Sequence, residues 1–454
     1  MEVIQCVNSI VWGAPALLLI IGVGIFLTIR TGFAQFRLLP QAVSGFFNSS
    51  NRSKRRALFT ALAATVGTGN LAGVAGAIAL GGPGTIFWMW VCGFLGMVTK
   101  FAEATLAVRF RKKVCDGTYV GGPMYMILGS MPRSCHWLAY IYCFFGVVAS
   151  FGVGNGTQVN AVIGGIHSAC ASYGVQLQVS GDLLIGLIFA ALVLFIMSKG
   201  SNGIGEATEK LVPFAAGFYV FICVAALFLR KQAVIGALKD IVTGAFTPSA
   251  VTGGVVGSFF IALRTGAARG VFTNEAGMGT AAMAHATSNV IEPVEQGEMG
   301  IVEVFIDTIV ICTLTALVIL CSGVPIDYGK DNGILLTTQA FTEIFGQWVC
   351  IFIAVALCLF AFATILGWGL YGIQCARFLF GDRCIKVFVV LQAVMVVIGA
   401  VMQTGTLWLV AEILNGLMAI PNLIVVAYLA PQLSVLVKAF DNRDSIENKK
   451  LVIR

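Results

Sequence analysis

Ala63–Gly76 reads A-A-T-V-G-T-G-N-L-A-G-V-A-G, and Gly270–Ala281 reads G-V-F-T-N-E-A-G-M-G-T-A. Both runs sit in the middle of long apolar stretches. Each nevertheless packs glycines beside Thr and Asn, and the second adds the carboxylate of Glu275. Glycine is costly inside a helix, and bare backbone polar groups survive at membrane depth only where they are buried or line a cavity. A pair of broken hydrophobic segments, one in each half of a chain, points to the binding site of a secondary transporter.

The surrounding sequence supports a membrane setting. Of 454 residues, 58% are hydrophobic and only 11% charged, against about 25% charged in soluble domains. Eleven apolar stretches are long enough to be read as spans: roughly 9–29, 57–80, 84–110, 136–166, 182–199, 210–229, 254–285, 297–322, 348–377, 385–404 and 406–437. The expected fold is an all-α polytopic membrane protein, one transmembrane domain over 1–454, with no loop long enough for a soluble domain. The first span lacks a basic leading region and a cleavage site, so it reads as a retained helix rather than a signal peptide. The remaining ten divide into two sets of five, 57–229 and 254–437, each opening on one of the broken segments, with a tail over 438–454. Because five is odd, the two sets enter the membrane from opposite sides, as in an inverted-topology repeat.

With the N-terminus outside, inner loops and tail hold 21 of the 28 Lys and Arg. The positive-inside bias therefore places the N-terminus outside and the C-terminus in the cytoplasm of a multi-pass cell-membrane protein. The basic runs abut span ends, which speaks against nucleic-acid binding. Thirteen cysteines include no C-x-x-C pair. Only Cys6 and Cys170 fall near the outer side, where one disulfide is conceivable, and the scattered histidines suggest no metal site.

Where a helix unwinds in the membrane, its first half ends in unpaired carbonyls and its second begins with unpaired amides. The carbonyl end suits a hard cation and the amide end a carboxylate. Ala63, Thr65, Val66, Thr68 and Asn70 are therefore candidates for an ion and anion site built largely from backbone. A nucleotide reading fails: Gly67-Thr68-Gly69-Asn70-Leu71-Ala72-Gly73 misses G-x-G-x-x-G spacing and no G-x-x-x-x-G-K-[ST] occurs. With no ATP-driven engine and no expected cofactor, uphill transport would need an ion gradient.

The runs A-L-F-T-A-L-A-A-T-V-G-T-G-N-L-A-G-V (57–74), G-G-P-G-T-I-F-W-M-W (81–90) and T-K-F-A-E-A-T-L-A (99–107) resemble the alanine or glycine:cation symporters of bacteria and archaea. So do G-G-P-M-Y (121–125), A-R-G-V-F-T-N-E-A-G-M-G-T-A (268–281) and A-F-A-T-I-L-G-W-G-L-Y-G (361–372). The match covers nearly the whole chain. It implies membership of the amino acid-polyamine-organocation superfamily, a leucine-transporter-like fold of five plus five helices with one extra N-terminal helix, and sodium-coupled amino-acid uptake. Carried over, Thr65, Gly67, Thr68, Gly69 and Asn70 would receive the substrate carboxylate. Gln158, Thr273, Thr364 and Trp368 would line the pocket. Ala63, Thr65, Val66, Asn70, Thr273, Asp307 and Thr364 would face sodium. Independently, Thr364 and Trp368 are spaced i, i+4 and share a helix face. Larger residues are usual in the family before that glutamine, whereas Gly156 and Thr157 precede Gln158 here. This suggests a roomier pocket and leaves open which neutral amino acid fits.

Ionisable residues inside spans cost at least about 2.5–3.5 kcal/mol each on insertion scales, so they are functional candidates by default. Lys100 and Glu103, at i, i+3, are expected to pair with each other. Glu275 is expected to tether the second break, with Arg264 and Arg269 as the nearest partners; capping the amides of the second half-helix and sensing a substrate ammonium are the alternatives. Glu303 and Asp307, at i, i+4, share a face and leave a cation or proton role open, as does Glu412 a gating one. No catalytic constellation is present, His285 being placed in a loop, so an enzyme is not expected. A channel would show a continuous polar lining or charged ring, and here polarity is concentrated at two midplane breaks.

Overall fold

The computed structural model describes residues 4, 7, 11–48, 51–114, 117–330, 333–402 and 405–452, so Cys6 lies outside the described residues. Among them, eight helices are long and apolar enough to cross a membrane, and a bent pair makes a ninth. The helices that frame the site are α1 (Ala14–Arg30), α2 (Arg52–Thr65) and α3 (Val74–Gly81), α3 being entered through a π-helical turn at Gly69–Gly73. Then come α4 (Thr85–Phe110), α5 (Trp137–Phe151) and α6 (Thr157–Ser172), the last two joined by a π-helical Gly152–Gly156. The first half closes with α7 (Val179–Met197), α8 (Gly200–Leu229) and α9 (Lys231–Phe246).

The second half runs α10 (Phe259–Asn274), α11 (Thr280–Ala286), α12 (Pro293–Val304), a π-helical Phe305–Cys312 and α13 (Thr313–Ser322). It ends with α14 (Gly333–Phe345), α15 (Val349–Phe380), α16 (Ile385–Val401) and α17 (Gly405–Val452). The stretch expected as one span at 254–285 is thus two half-helices, and the tail beyond 437 continues α17 as helix.

Several of the interhelical contacts join spans of the two expected sets of five. Among the most extensive contacts are α4 with α12, α6 with α15 and α7 with α16. Each joins the second, third or fourth span of one set to its counterpart in the other. Glycine allows the closest approach: a Cβ at Gly300 would lie 2.7 Å from the Lys100 carbonyl, so α4 and α12 meet backbone to side of helix, as small residues permit in lipid. Outward-facing apolar side chains such as Leu184, Leu187, Ile188 and Phe195 of α7 are exposed, as a lipid-facing surface requires.

Charge sorts by face. Arg52 and Arg56 bond Glu209 across α2 and α8, Arg37 bonds Asp441, and Arg111 binds the carbonyls of Ser288 and Val290. Loops expected on one side therefore gather on one face. Opposite them lie Arg230 with Glu343 and Lys330 with Asp327.

Candidate functional site

α2 stops where its ladder is cut. It begins on an Asn51 cap, whose Oδ1 accepts from Ser53 and Lys54 N–H, and at its far end Val66 N–H still donates to Leu62 O at 2.8 Å. The next amide, Gly67 N–H, turns instead to Asn70 Oδ1 at 2.9 Å, and Asn70 N–H donates to Gly67 O at 3.2 Å. In a continuous helix those two amides would serve the carbonyls of Ala63 and Val66. Both carbonyls lose their helical donors, and the chain bends by 51° between α2 and the stretch Gly69–Gly81. These are the two oxygens the family resemblance directs at a cation.

Around this bend the expected residues converge. A Cβ at Gly67 would lie 2.6 Å from Thr364 Oγ1 and 3.7 Å from Gln158 Oε1, so only glycine lets α6 and α15 approach the unwound backbone. Thr68 Oγ1 donates to Gln158 Oε1 at 2.9 Å. A Cβ at Gly69 would touch the Thr273 methyl at 3.4 Å, which brings the two breaks into contact. Thr65, Thr68, Asn70, Gln158, Thr273, Thr364 and Trp368 are all buried. The site is enclosed at the centre of the helix bundle. Gly156 does not enlarge it: Gly156 packs against Gly399 of α16, and Thr157 bonds back to Val153 O. Gly154 is the glycine that meets the Trp368 side chain.

Asn70 also reaches across. Its amide donates to Asp307 Oδ1 at 2.7 Å, Asp307 Oδ2 accepts from Thr308 Oγ1 at 2.9 Å, and Asn274 Nδ2 donates to Thr308 Oγ1 at 3.1 Å. A buried hydrogen-bonded chain thus runs from the first break, through the π-helical Phe305–Cys312, to the second. Glu303 and Asp307 do not act as a pair. The widened turn that begins at Phe305 separates them, and each has its own partners.

The second break opens at Glu275, whose φ of 54° is left-handed, followed by Gly277 at 91° and Gly279 at 74°. A non-glycine residue there costs about 1–3 kcal/mol, and the side chain holds it in place. Glu275 Oε2 accepts from Thr280 Oγ1 at 2.6 Å and Oε1 from Trp368 Nε1 at 2.8 Å. The expected tether exists, but its partners are a hydroxyl and an indole rather than Arg264 or Arg269. Those arginines point into a separate hollow with Trp12 and Leu80.

The break's own amides are capped from α4: Gly277 and Gly279 N–H donate to Glu103 Oε1 at 3.0 and 3.2 Å, and Asn422 Nδ2 joins at 2.6 Å. The expected Lys100–Glu103 pair is replaced by one across helices. Lys100 Nζ meets Glu303 Oε1 at 2.9 Å, Glu303 Oε2 meets His285 Nε2 at 3.1 Å, and His285 Nδ1 meets Gln296 at 2.8 Å. His285 is fully buried on α11, not in a loop. A cross-helix partner completes the solvation of a buried ammonium better than a helix-internal one because it brings a second chain of hydrogen bonds. Sequence reasoning missed Asn422 and Asn274. The signal was available in each case: an Asn inside an apolar run, at Pro421–Asn422 and beside Glu275.

The whole chain can be placed on this geometry. Residues 1–453 match the profile described as the sodium:alanine symporter family. The chain belongs to the sodium:alanine symporter family. It is 38% identical to the sodium/alanine symporter AgcS of Methanococcus maripaludis over 97% of both chains, and 36% identical to the amino-acid carrier protein AlsT of Bacillus subtilis over 91% of this chain and 86% of that one. Its fold is similar to that of MhsT in complex with L-phenylalanine, with a TM-score of 0.56 at 12% identity over 85% of this chain and 97% of that one. This member of the sodium:alanine symporter family is a multi-pass membrane transporter of leucine-transporter-like fold and not an enzyme.

Proposed function

We propose that the protein is a secondary symporter that couples uptake of a small neutral amino acid to sodium by alternating access. The observation that carries this reading is the pair of carbonyls at Ala63 and Val66, freed from helical bonding beside Thr364. Carbonyl and hydroxyl oxygens suit a hard cation without adding net charge. Ala63, Val66 and Thr364 would form one cation site, and Thr65, Asn70, Thr273 and Asp307 a second. The substrate zwitterion would lie between the breaks, its carboxylate on the amides after Gly67, at Thr68 and Gly69, and its side chain toward Gln158, Thr364 and Trp368.

Ion and substrate then share the same unwound backbone. Sodium orders the break that the carboxylate needs, so each raises the other's affinity through reciprocal linkage. The basic face would lie in the cytoplasm, with the N-terminus outside. The enclosed site, without a continuous polar lining, favours a carrier over a channel.

The test is uptake of labelled alanine, glycine and larger neutral amino acids into proteoliposomes under separately imposed sodium and proton gradients. Saturable, sodium-driven accumulation is expected. Uptake driven by protons alone would move the coupling ion, and sodium flux that neither saturates nor needs substrate would replace the carrier by a channel.

A further inference from the structure

Arg264 and Arg269 of α10 have no part in the site just described, yet they occupy a span in which a charge is expensive. Together with Trp12, Leu80, Thr265, Ala268 and Phe272 they line a hollow of about 250 Å³, room for one small amino acid. Among the described residues, none hydrogen-bonds or ion-pairs with the Arg264 guanidinium, which is exposed, whereas Arg269 is already engaged.

The hollow adjoins the enclosed site. Phe272, which lines the hollow, also lies against Gly69 of the first break, its ring carbons about 4.0 Å from a Cβ built there. Thr273, on the site side, donates its hydroxyl to the Arg269 carbonyl at 3.1 Å. Trp12 enters from just ahead of α1, the helix that stands outside both sets of five.

We propose that this hollow is a carboxylate-capture subsite, in which the amino acid docks by its carboxylate on Arg264 beside Arg269 before passing Phe272 into the enclosed site. A guanidinium matches a carboxylate in two parallel hydrogen bonds. A cationic mouth with apolar walls also raises the local concentration of an anionic group, an effect that salt screens. The substrate's own ammonium is repelled by Arg264, so the zwitterion arrives carboxylate first, the orientation that the amides of the first break require. The inference rests on the proposed amino-acid substrate.

The experiment measures sodium-dependent alanine uptake in proteoliposomes well below KM, at fixed sodium, with ionic strength varied by choline chloride. For Arg264→Gln the expected result is a fall in kcat/KM of about three- to tenfold at low ionic strength, a smaller change in maximal rate, and a flattened salt response. Arg264→Lys should keep most of the salt response. A wild-type kcat/KM and salt response in Arg264→Gln would overturn the subsite. A defect that appears only in vesicles containing phosphatidylglycerol would overturn it too, assigning the arginine to a lipid phosphate. Absence of sodium-dependent uptake in the wild type would instead count against the proposed function itself.

Discussion

At the residue scale, the site depends on groups whose replacement has a defined geometric consequence. Gly67 has Thr364 Oγ1 where its Cβ would fall, 2.6 Å away. Gly67→Ala should therefore abolish sodium-dependent stabilisation by substrate in a thermal-shift assay while the protein still folds, and Gly67→Ala combined with Thr364→Ala should recover part of it. Asp307 holds Asn70 in position and, on the proposed reading, contributes to a cation site. Asp307→Ala should raise the sodium concentration for half-maximal uptake by roughly tenfold, about 1.4 kcal/mol, and sodium titration of uptake measures it; an unchanged value would remove Asp307 from the site. Residues at the first break were legible because glycine, threonine and asparagine are anomalous inside an apolar run. The role of Gly156 was not, since a residue's side of a helix depends on the π-helical turn before it, and that turn adds a residue the 3.6-residue period does not count.

At the scale of elements, each half-helix is held by a polar group from another span. Lys100 and Glu303 are wholly buried at 2.9 Å, and removing one partner of such a pair typically costs about 3–5 kcal/mol because the other is left buried and uncompensated. Lys100→Met should lower the midpoint of thermal unfolding in detergent sharply, whereas Lys100→Met with Glu303→Gln should lie closer to wild type. Equal losses in the single and double variants would show that the bridge is not the source of the effect. Spacing alone offered Glu103 as the partner, three residues away. The true partner lies 203 residues further on, on the counterpart span of the other set of five, and helical spacing within one span carries no sign of such a partner. The breaks were legible as elements; the carboxylate and amides that cap them across the bundle were legible only as unexplained polar residues.

At the scale of the whole molecule, alternating access needs one group of helices to move against another about the breaks. The contacts show where that motion would be resisted. On the basic face α2 is fastened to α8 by Arg52 and Arg56 with Glu209, by Arg56 with Glu206, and by the Thr60–Thr208 hydroxyl pair at 3.0 Å. Lys54 meets Glu298 of α12 at 3.8 Å. Beside these ties lies a cavity of about 550 Å³, lined by Arg52, Arg56, Ala57, Thr60 and Leu370 among others. The partly exposed Arg52 and Arg56 pairs are individually worth about 0–1 kcal/mol, and Lys54–Glu298 is the buried one, so the outer part of the fastening is weak enough to open and close within a transport cycle. If the basic face is the release side, α2 should swing away from α8 as the site empties. Spin labels on exposed positions at the starts of α2 and α8 should then give a short distance with saturating sodium and alanine and a longer, broader one without them. Glu209→Gln should shift the ligand-bound population toward the longer distance and, by linkage, raise the sodium concentration needed to restore the short one. A distance distribution indifferent to both ligands would place the moving elements elsewhere in the fold.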